Sequence, residues 1–297
     1  LGYEIGDPLY NLAVVIDDNF MNITHVVRGE DHISNTAKQI LIYEALDFKM
    51  PTFSHTPLIL NNEGKKLSKR DCVTSIDEFR DMGYLPEALA NYMAFLGWSP
   101  KLANSEILSL DEISKIFELS DINKAGAKFS WDKLNWINSQ YIKNMESAKL
   151  SVIISRYWEN IGWNPPSQEW AIKLVNLIKD SITLLKDSID QSKPFFLIPP
   201  LQKEGQDFLE NQDGKESLKI ILNYLIEQKT SILNKDKAKE IINEISKVHN
   251  IKKGILMKSL RVAFFGSLSG PDLIQSWELF SESKTDSIRI ERCLNLI

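Results

Sequence analysis

The residues best suited to chemistry form a short basic loop. Four of the six residues from Lys65 to Arg70 are lysine or arginine, and they follow the turn-forming run Asn61–Gly64. Ammonium groups on such a loop can close over the negative charge that develops on phosphate oxygens during phosphoryl or nucleotidyl transfer. Taken alone, a lysine-rich loop is more often a solvated surface segment, so a partner motif has to decide between the two interpretations.

A second candidate lies at Val27–His32, where a predicted strand ends and a helix follows. Ligands of open α/β sheets bind beyond the carboxyl ends of the strands, so a guanidinium at Arg28 can hold a carboxylate through two parallel hydrogen bonds. The alternative is a surface arginine paired with Glu30 or Asp31. Tyr10, which follows a turn, either faces the same crevice or packs in the core.

Strands and a helix are expected to alternate around these groups. Runs of β-branched residues predict strands at 12–17 and 23–28. An amphipathic pattern predicts a helix at 34–46, and a third strand is expected at 55–60, directly before the basic loop. The N-terminal part is therefore expected to be α/β.

Helix-start and helix-stop signals follow the basic loop. Ser75 and Glu78 form a capping box that predicts a short helix ending near Gly83. Pro86, as a first helical residue, predicts a second helix over 87–96.

From about residue 100 onward, apolar residues recur at spacings of three and four, which is typical of helices. Helices are predicted at 110–117, 133–142, 152–161, 170–185, 216–228, 236–248, 255–265 and 272–280. The segments Pro194–Pro200 and Gln202–Lys215 are instead predicted to be a linker. Trp131, Trp136 and Trp170 have apolar neighbours at helical spacing, which favours core packing over base stacking.

The composition is that of an ordinary globular protein. With 43% hydrophobic and 25% charged residues, the chain is neither disordered nor fibrous. Cys72 and Cys293 lie far apart with no cysteine or histidine cluster, so we expect a reducing compartment and no zinc site. No apolar run approaches the length of a membrane span, so we expect a cytoplasmic protein without a membrane role. Because the net charge is −5, any nucleic-acid footprint has to be a local basic face.

Together these stretches resemble the second half of the catalytic domain of class I aminoacyl-tRNA synthetases, specifically the bacterial glutamyl-tRNA synthetase family. The matching segments follow the family's order and spacing. They are DPLYNLAVVIDD at 7–18, MNITHVVRGEDHISNT at 21–36, HTPLIL at 55–60, KLSKR at 66–70, GYLPEALANYMAFLGW at 83–98, FSWDKLNWINSQYI at 129–142 and KGILMKSLRVAFFGSLSGPDL at 253–273. The resemblance covers most of the chain and is weakest between about 150 and 250.

The resemblance implies a fold and a division of the chain. We expect an α/β N-terminal part, the second half of a class I nucleotide-binding fold, followed by an all-α tRNA-binding region. The expected domains are residues 1–100 with the KLSKR loop, a stem-contacting segment at 101–147 and an anticodon-binding region at 148–297. Whether the last region divides again near 200–215 stays open.

The resemblance also assigns roles to the basic loop. Residues 66–70 match the family's second signature, Lys-Met-Ser-Lys-Ser, with leucine and arginine as permitted variants. The match implies that Lys66, Ser68 and Lys69 take part in catalysis and that Lys69, with Lys66 beside it, binds the phosphates of ATP.

Further roles follow for the crevice. Arg28 matches an arginine that pairs with the side-chain carboxylate of glutamate, and Tyr10 matches a tyrosine that lines the same pocket. Asp31, His32 and Ile59 fall where the family approaches ATP.

The implied reaction is the ligation of L-glutamate to its tRNA. The α-carboxylate of glutamate attacks the α-phosphate of ATP, with Mg²⁺ as a companion of ATP, and pyrophosphate leaves. The glutamyl group of the adenylate then passes to the terminal ribose of tRNA(Glu), and AMP leaves. Lys252, Lys253, Lys258 and Arg261 are the candidate contacts to tRNA phosphates, although a solvated helical face is the simpler interpretation of any one of them. The family expectation is a monomer.

One departure from the family pattern qualifies the activity. The first signature, His-x-Gly-His, has no counterpart in this chain, which opens on Leu1. We therefore expect a C-terminal portion of a longer enzyme that does not charge tRNA alone. The alternatives are a stand-alone tRNA-binding module and a short glutamyl-queuosine-type paralogue, against which the helical residues after 150 argue. Glutaminyl-type enzymes carry β-barrels there, and the scarcity of strand signals disfavours them.

Overall fold

The computed structural model describes residues 6–61, 63–65, 75–101, 105–211, 213–227 and 232–297. The chain divides into two units, residues 1–138 and 139–297. The first unit combines helices with short parallel strands, and the second is helical throughout its described residues. This is the α/β part followed by an all-α part that the sequence predicts.

The described elements of the first unit alternate between helix and strand before helices take over. They are α1 (Tyr10–Phe20), β1 (His25–Gly29), α2 (Ile33–Ala45), β2 (Thr52–Thr56), β3 (Ile59–Leu60), α3 (Ile76–Met82), α4 (Pro86–Phe95), α5 (Leu110–Ile116), β4 (Ala127–Lys128) and α6 (Trp131–Asn144), of which residues 131–138 belong to this unit.

Two parallel strand pairs build the sheets of this unit. Strand β1 pairs with β2, with Arg28 opposite His55. Helix α2 is the crossover between them, as a parallel connection requires. Strand β3 pairs with β4, with Ile59 opposite Ala127. The carboxyl ends of β1 and β2 therefore lie side by side, which is where a ligand site is expected.

Capping residues set the helix boundaries where the sequence predicts them. The Ser75 side chain accepts from the backbone N–H of Glu78, and the capping box is complete. Helix α3 ends at Gly83, whose φ of +96° lies in the left-handed region that glycine tolerates best. Helix α4 begins at Pro86. The predicted strand at 23–28 and helix at 34–46 are likewise confirmed as β1 and α2.

The strand predicted at 12–17 is wrong, because these residues belong to helix α1. The run Val14–Ile16 favours a strand by intrinsic propensity, but this preference is weak and is overridden by packing. Asn11, Val15 and Asp18 lie on the less exposed side of α1 at helical spacing, and Val15 is fully buried. The helix packs against α2.

The strand predicted at 55–60 is divided in two. Strand β2 ends at Thr56 and β3 begins at Ile59, with Pro57 between them. Proline has no N–H to donate to a ladder, so it interrupts the pairing.

The second unit is a bundle around aromatic residues. Its helices are α7 (Ser147–Glu159), α8 (Gln168–Ile178), α9 (Asp187–Phe196), α10 (Lys203–Asn211), α11 (Gly214–Glu227), α12 (Lys235–Val248), α13 (Lys253–Phe265), α14 (Leu273–Glu282) and α15 (Asp286–Leu296). Trp158, Trp170, Trp277, Phe264 and Phe280 are almost completely buried and form its core.

The linker predicted between 194 and 215 is largely helical. Pro194 lies inside the last turns of α9, and residues 203–211 form α10. Polar residues dominate α10, which is why its sequence resembles a loop. A Cβ on Gly205 would approach Cγ1 of Val262 to 2.9 Å, so the glycine allows α10 to pack closely on α13. Helix α15 was not predicted either, because the last helix expected from the sequence ends at residue 280.

The tryptophan prediction is right for Trp170 and wrong for Trp136. Trp170 is 1% exposed, whereas Trp136 is 42% exposed. Trp136 lies five positions after Trp131, which places the two side chains about 140° apart around helix α6. Trp131 packs on Phe129 inside the unit, and Trp136 lies on the outer face under the ammonium of Lys133.

Candidate functional site

Arg28 occupies the carboxyl end of β1, and helix α2 runs past it. Its Nη2 atom donates to Oγ1 of Thr36 at 2.5 Å and to Oε1 of Gln39 at 2.7 Å. The guanidinium carbon lies 5.4 Å from the ring centre of Phe53 on β2, close enough for a cation–π contact. The geometry thus holds one end of the guanidinium and orients the rest.

The hydroxyl of Thr36 links three groups. It accepts from Arg28, and it lies 3.2 Å from the carbonyl oxygen of His32 and 2.9 Å from Nε2 of His55. A hydroxyl carries a single hydrogen, and Thr36 donates it to the carbonyl oxygen of His32, so Nε2 of His55 can bond to this hydroxyl only as a donor. Thr36 therefore connects the carboxyl ends of both strands with the start of α2.

Arg28 keeps unused donors. Its Nε atom is buried without a hydrogen-bond partner among the described residues, and no hydrogen bond to Nη1 occurs among them. Both hydrogens of Nη2 are taken by neutral oxygen atoms. Arg28 also forms no ion pair with a carboxylate in the described part of the chain. A carboxylate ligand is the group that this arrangement suits.

Tyr10 and His32 lie near each other. Their ring centres are 6.3 Å apart, and Tyr10 is 54% exposed at the start of α1. The Nδ1 atom of His32 lies 3.3 Å from Nδ2 of Asn35. The core-packing alternative for Tyr10 is therefore excluded, and its ring is free to border a ligand.

Asp31 bends back over the end of β1. A Cβ on Gly29 would come within 2.6 Å of Oδ1 of Asp31, so only glycine fits there without displacing the carboxylate. Glu30 accepts from the backbone N–H of Leu58 at 3.3 Å, which ties this turn to the segment before β3. The turn Gly29–His32 is thus held in place next to Arg28.

The base of the basic loop is a closed turn. The backbone N–H of Asn61 donates to the carbonyl of Lys65 at 2.8 Å, and Oδ1 of Asn61 accepts from the N–H groups of Glu63 and Lys65. Ile59 lies in β3 just before it and is partly buried. The predicted catalytic residues Lys66, Ser68 and Lys69 lie outside the described residues.

Two further ionisable groups near Arg28 have shifted pKa values. Burial raises the pKa of Asp18, an effect that Arg28 opposes and Asp17 reinforces. Burial also raises the pKa of Tyr43, whose hydroxyl is buried without a hydrogen-bond partner among the described residues. In both groups, partial burial of the side chain is therefore the main cause of the raised pKa.

The candidate tRNA contacts gather on α13 and its N-terminal cap. Lys252, Lys253 and Lys258 are exposed, and Lys258 lies 5.8 Å from the ring centre of Phe208. Arg261 is partly buried, and its Nη1 atom donates to the carbonyls of Gly270 and Pro271 at 2.7 and 2.8 Å. The three lysines are accessible to a ligand, whereas Arg261 also fixes the turn before α14.

A separate cavity of about 590 Å³ lies beside α4 and α6, and its lining includes Trp98. Its lining charges include Lys133 and Glu106, which pair with each other. Nothing connects it with Arg28, so we assign it no chemistry.

In the described part of the chain, no cluster of three or more His, Cys, Asp or Glu side chains is placed to hold a metal. None of the described helices has both the length and the apolar character of a membrane span.

Comparison with known families covers nearly the whole chain. The family model described as tRNA synthetases class I (E and Q), catalytic domain, matches residues 4–136. The model described as anticodon binding domain matches residues 142–294. The chain belongs to the glutamate–tRNA ligase family.

Close relatives within this family come from Prochlorococcus marinus. The chain is 87% identical to the glutamate–tRNA ligase of Prochlorococcus marinus strain MIT 9312 over 297 residues, which is all of this chain and 62% of that ligase. It is 53% identical to the ligase of strain NATL1A over 293 residues, again 62% of the relative. The chain thus spans less than two thirds of the length of the ligases it matches.

Solved ligase structures share the fold. A crystal structure of a glutamate tRNA ligase from Elizabethkingia meningosepticum, described as a complex with its amino acid, superposes with a TM-score of 0.85 at 32% identity. A glutamate–tRNA synthetase from Elizabethkingia anophelis superposes with a TM-score of 0.83 at 32% identity. In both cases the match covers 97% of this chain and 60% of the other. The predicted resemblance is confirmed.

Sequence reasoning missed the residues that hold Arg28. Thr36, Gln39 and Tyr43 are the buried residues of α2 and follow one another at spacings of three and four. The sequence predicts this helix from apolar positions at Ile40, Leu41, Tyr43 and Leu46, and of these only Tyr43 is buried. The signal that could have identified Thr36 and Gln39 was the repetition of polar residues at helical spacing on one face of α2.

Proposed function

We propose that this chain is the part of a glutamate–tRNA ligase that binds the side-chain carboxylate of glutamate with Arg28. The observation that carries the proposal is the cradle at the carboxyl end of β1, which consists of Thr36 and Gln39 bound to Arg28. Arg28 is oriented by two neutral acceptors and has donors left over. Tyr10 borders the same space and lines the pocket in this proposal.

ATP, accompanied by Mg²⁺, binds between the turn that follows β1 and the basic loop. Lys69 and Lys66 neutralise its phosphates, and Ser68 belongs to the same signature. Asp31, His32 and Ile59 border the nucleotide. The α-carboxylate of glutamate attacks the α-phosphate, and pyrophosphate leaves. The terminal ribose hydroxyl of tRNA(Glu) then attacks the acyl carbon of the adenylate, which forms the glutamyl ester and releases AMP. The protein contributes positioning and charge stabilisation and supplies no nucleophile.

The remaining residues hold the tRNA in this proposal. Residues 101–147 contact its stem, and residues 148–297 bind its anticodon loop, since single-stranded loops are the sites where proteins recognise RNA sequence. The exposed Lys252, Lys253 and Lys258 meet phosphates, and Arg261 contributes through the turn that it fixes. We propose that the complete enzyme is a cytoplasmic monomer.

Aminoacylation by a chimera tests the catalytic part. The chimera joins this chain to the part of the MIT 9312 ligase that lies outside the matched 62% of that ligase. We expect it to charge tRNA(Glu) with glutamate in the presence of ATP, and we expect Lys69→Ala to reduce kcat by at least about a hundredfold. The chain alone should not charge tRNA, because the first signature is absent from it. A chimera that folds and binds tRNA but never charges it would contradict the proposed activity.

Binding of tRNA by the chain alone tests the second part and separates the ligase from a stand-alone module. Filter binding across a salt series should show a slope that corresponds to several phosphate contacts, and each of the Lys252→Ala, Lys253→Ala and Lys258→Ala changes should reduce that slope by about one. Transcripts with altered anticodon bases should bind more weakly. Specific binding by the chain, together with a chimera that cannot charge tRNA, would favour the module.

A further inference from the structure

The buried face of α2 is polar. Its buried residues are Thr36, Gln39 and Tyr43, which are 7%, 1% and 1% exposed. Buried polar side chains are costly unless they find hydrogen-bond partners. Thr36 and Gln39 both find one in Arg28. This face of the helix therefore serves the guanidinium as well as the core.

The amide of Gln39 can point in only one direction. Arg28 carries donors and no acceptor, so the atom that faces Nη2 has to be the amide oxygen. The amide nitrogen then faces the other way, where it donates to Oδ1 of Asn11 at 3.1 Å. A chain of hydrogen bonds thus runs from α1 through Gln39 to Arg28 and fixes the side chain of Gln39 at both ends.

The acceptors that hold Arg28 are both neutral. A glutamate in place of Gln39 would have the same size and would bind the guanidinium more strongly, yet it would neutralise much of its charge. With a neutral amide, the full positive charge remains available to a ligand. Arg28 opposes the rise in the pKa of Asp18 that burial causes, yet Asp18 forms no ion pair with Arg28 within the described residues.

We propose that Gln39 is a positioning and specificity-determining residue that aims Arg28 while leaving its charge for the side-chain carboxylate of the substrate. Gln39 itself touches no substrate and acts through Arg28. This inference rests on the proposed function, because it assumes that Arg28 binds that carboxylate.

Two substitutions of Gln39 in the chimera test the inference. Gln39→Met removes the acceptor, and we expect KM for glutamate to rise about tenfold, while kcat and the KM values for ATP and tRNA stay within about twofold. Gln39→Glu restores an acceptor of the same shape, yet we expect KM for glutamate to rise at least about tenfold because the added charge competes with the substrate. Glutamine, measured as a competitive inhibitor, should keep its inhibition constant within about twofold in both variants, since its side chain carries no charge.

The controls separate positioning from folding. Gln275→Met changes the same residue type in the second unit, where Gln275 accepts from Lys235, and it should leave every KM unchanged. Thermal unfolding and tRNA affinity report whether each variant folds. If the parent chimera charges tRNA but neither variant changes KM for glutamate, the role of Gln39 is refuted and the proposed function stands.

Three other results would also overturn the inference. A parallel rise of KM for glutamate and ATP and of the inhibition constant for glutamine would show a merely structural residue. Loss of folding in both Gln39 variants would likewise show that Gln39 is needed only for the structure. A folded parent chimera that does not use glutamate would refute the proposed function and this inference with it.

Discussion

Each unit of the molecule holds a buried or partly buried arginine, and the two differ in what surrounds their nitrogen atoms. In the first unit, Arg28 donates through Nη2 to two side chains, and its remaining donors have no partner among the described residues. In the second unit, Arg289 is 1% exposed, and every one of its nitrogen atoms faces an oxygen of the protein.

The partners of Arg289 are mainly backbone carbonyls near the ends of helices. Nη1 donates to Phe264 at 3.1 Å, and Nη2 faces the carbonyls of Phe195 and Leu197 at 3.5 Å. The guanidinium carbon lies 4.1 Å from the ring centre of Phe280. Helix C-termini carry partial negative charge, so the cation fits there without a carboxylate. Burial, with a smaller effect of Arg292, lowers the pKa of Arg289 to about 10, and the group stays protonated at neutral pH.

The difference shows how a buried cation can serve either structure or binding. Arg289 has its donors occupied by α9, α13 and the start of α15, so it joins three helices and has little left for a ligand. Arg28 is held at one end only, by neutral groups, and in the proposed function the substrate carboxylate binds its remaining donors. Charge and burial alone do not separate the two roles, but the count of occupied donors does.

Arg28→Gln in the chimera should give the largest effect and tests this separation directly. Loss of a charge that pairs with the substrate carboxylate should lower kcat/KM for glutamate by about a thousandfold. The free energy of unfolding should change by about 1 kcal/mol or less, because Arg28 donates only two hydrogen bonds to the protein. Steady-state aminoacylation and urea unfolding measure the two quantities. A large loss of stability with little loss of activity would place Arg28 in the structural class.

Arg289→Gln should show the reverse pattern. We expect the free energy of unfolding of the second unit to fall by about 3 kcal/mol, because several buried carbonyls lose their donor. KM for glutamate in the chimera should not change. Cys293 lies one turn further along α15, is 5% exposed and has a pKa raised by burial to about 11. In a Cys72→Ser background its alkylation should therefore be slow, and Arg289→Gln should accelerate it.

An unchanged alkylation rate in Arg289→Gln would contradict the proposal that Arg289 docks α15. Lys284→Gln is the matched control, since Lys284 precedes α15 and carries a charge near the surface. It should leave both the unfolding midpoint and the alkylation rate nearly unchanged.

Local signals predicted those parts of the fold whose stability is local. The capping box of Ser75, the first-turn Pro86 and the left-handed Gly83 act within a few residues, and α3 and α4 appear where these residues predict them. Helix α1 was missed because its strand-like run is overridden by packing against α2. Helix α10 was missed because its place depends on Gly205 and on α13, which lies far away in sequence.

The candidate site divides in the same way. Arg28 and Tyr10 were predicted because their motifs are contiguous and resemble a known family. Thr36, Gln39 and His55 were not, because their meaning depends on the pairing of β1 with β2 and on which face of α2 turns inward. The sequence shows which groups can do the chemistry, while their partners depend on contacts between distant segments.

Two buried tryptophans of the second unit extend the comparison to neutral donors. Trp170 donates from Nε1 to the carbonyl of Leu279 at 2.9 Å, whereas Nε1 of Trp277 has no partner among the described residues. Both Trp→Phe changes lose a similar apolar area, so their difference isolates the hydrogen bond. We expect Trp170→Phe to cost about 1 kcal/mol more than Trp277→Phe in urea unfolding. The carbonyl of Leu279 still accepts from Ser283, which limits the difference. Equal costs would show that an occupied donor adds nothing measurable here.

The smallest expected effect concerns Asp18, the acid whose field opposes that of Arg28. Because burial raises its pKa above the ordinary value of 3.8, the folded state binds this proton more tightly than the unfolded state. The sign follows from proton linkage, and this group makes the protein more stable as the pH falls through its folded-state pKa. Asp18→Asn should therefore stabilise the first unit slightly at neutral pH, and its advantage should vanish in acid. Urea midpoints of parent and variant across this pH range measure the trend.

The same substitution sharpens the comparison between the arginines. Removing the carboxylate of Asp18 leaves more of the charge of Arg28 for a ligand, so KM for glutamate should fall by up to about twofold, which is modest because Asp18 is largely solvated. Asp17→Asn is the matched control, since Asp17 carries the same charge on the same helix and is more exposed. A rise in KM for Asp18→Asn, without any rise for Asp17→Asn, would mean that Arg28 needs an acidic neighbour and that its neutral cradle is not what prepares it for the substrate.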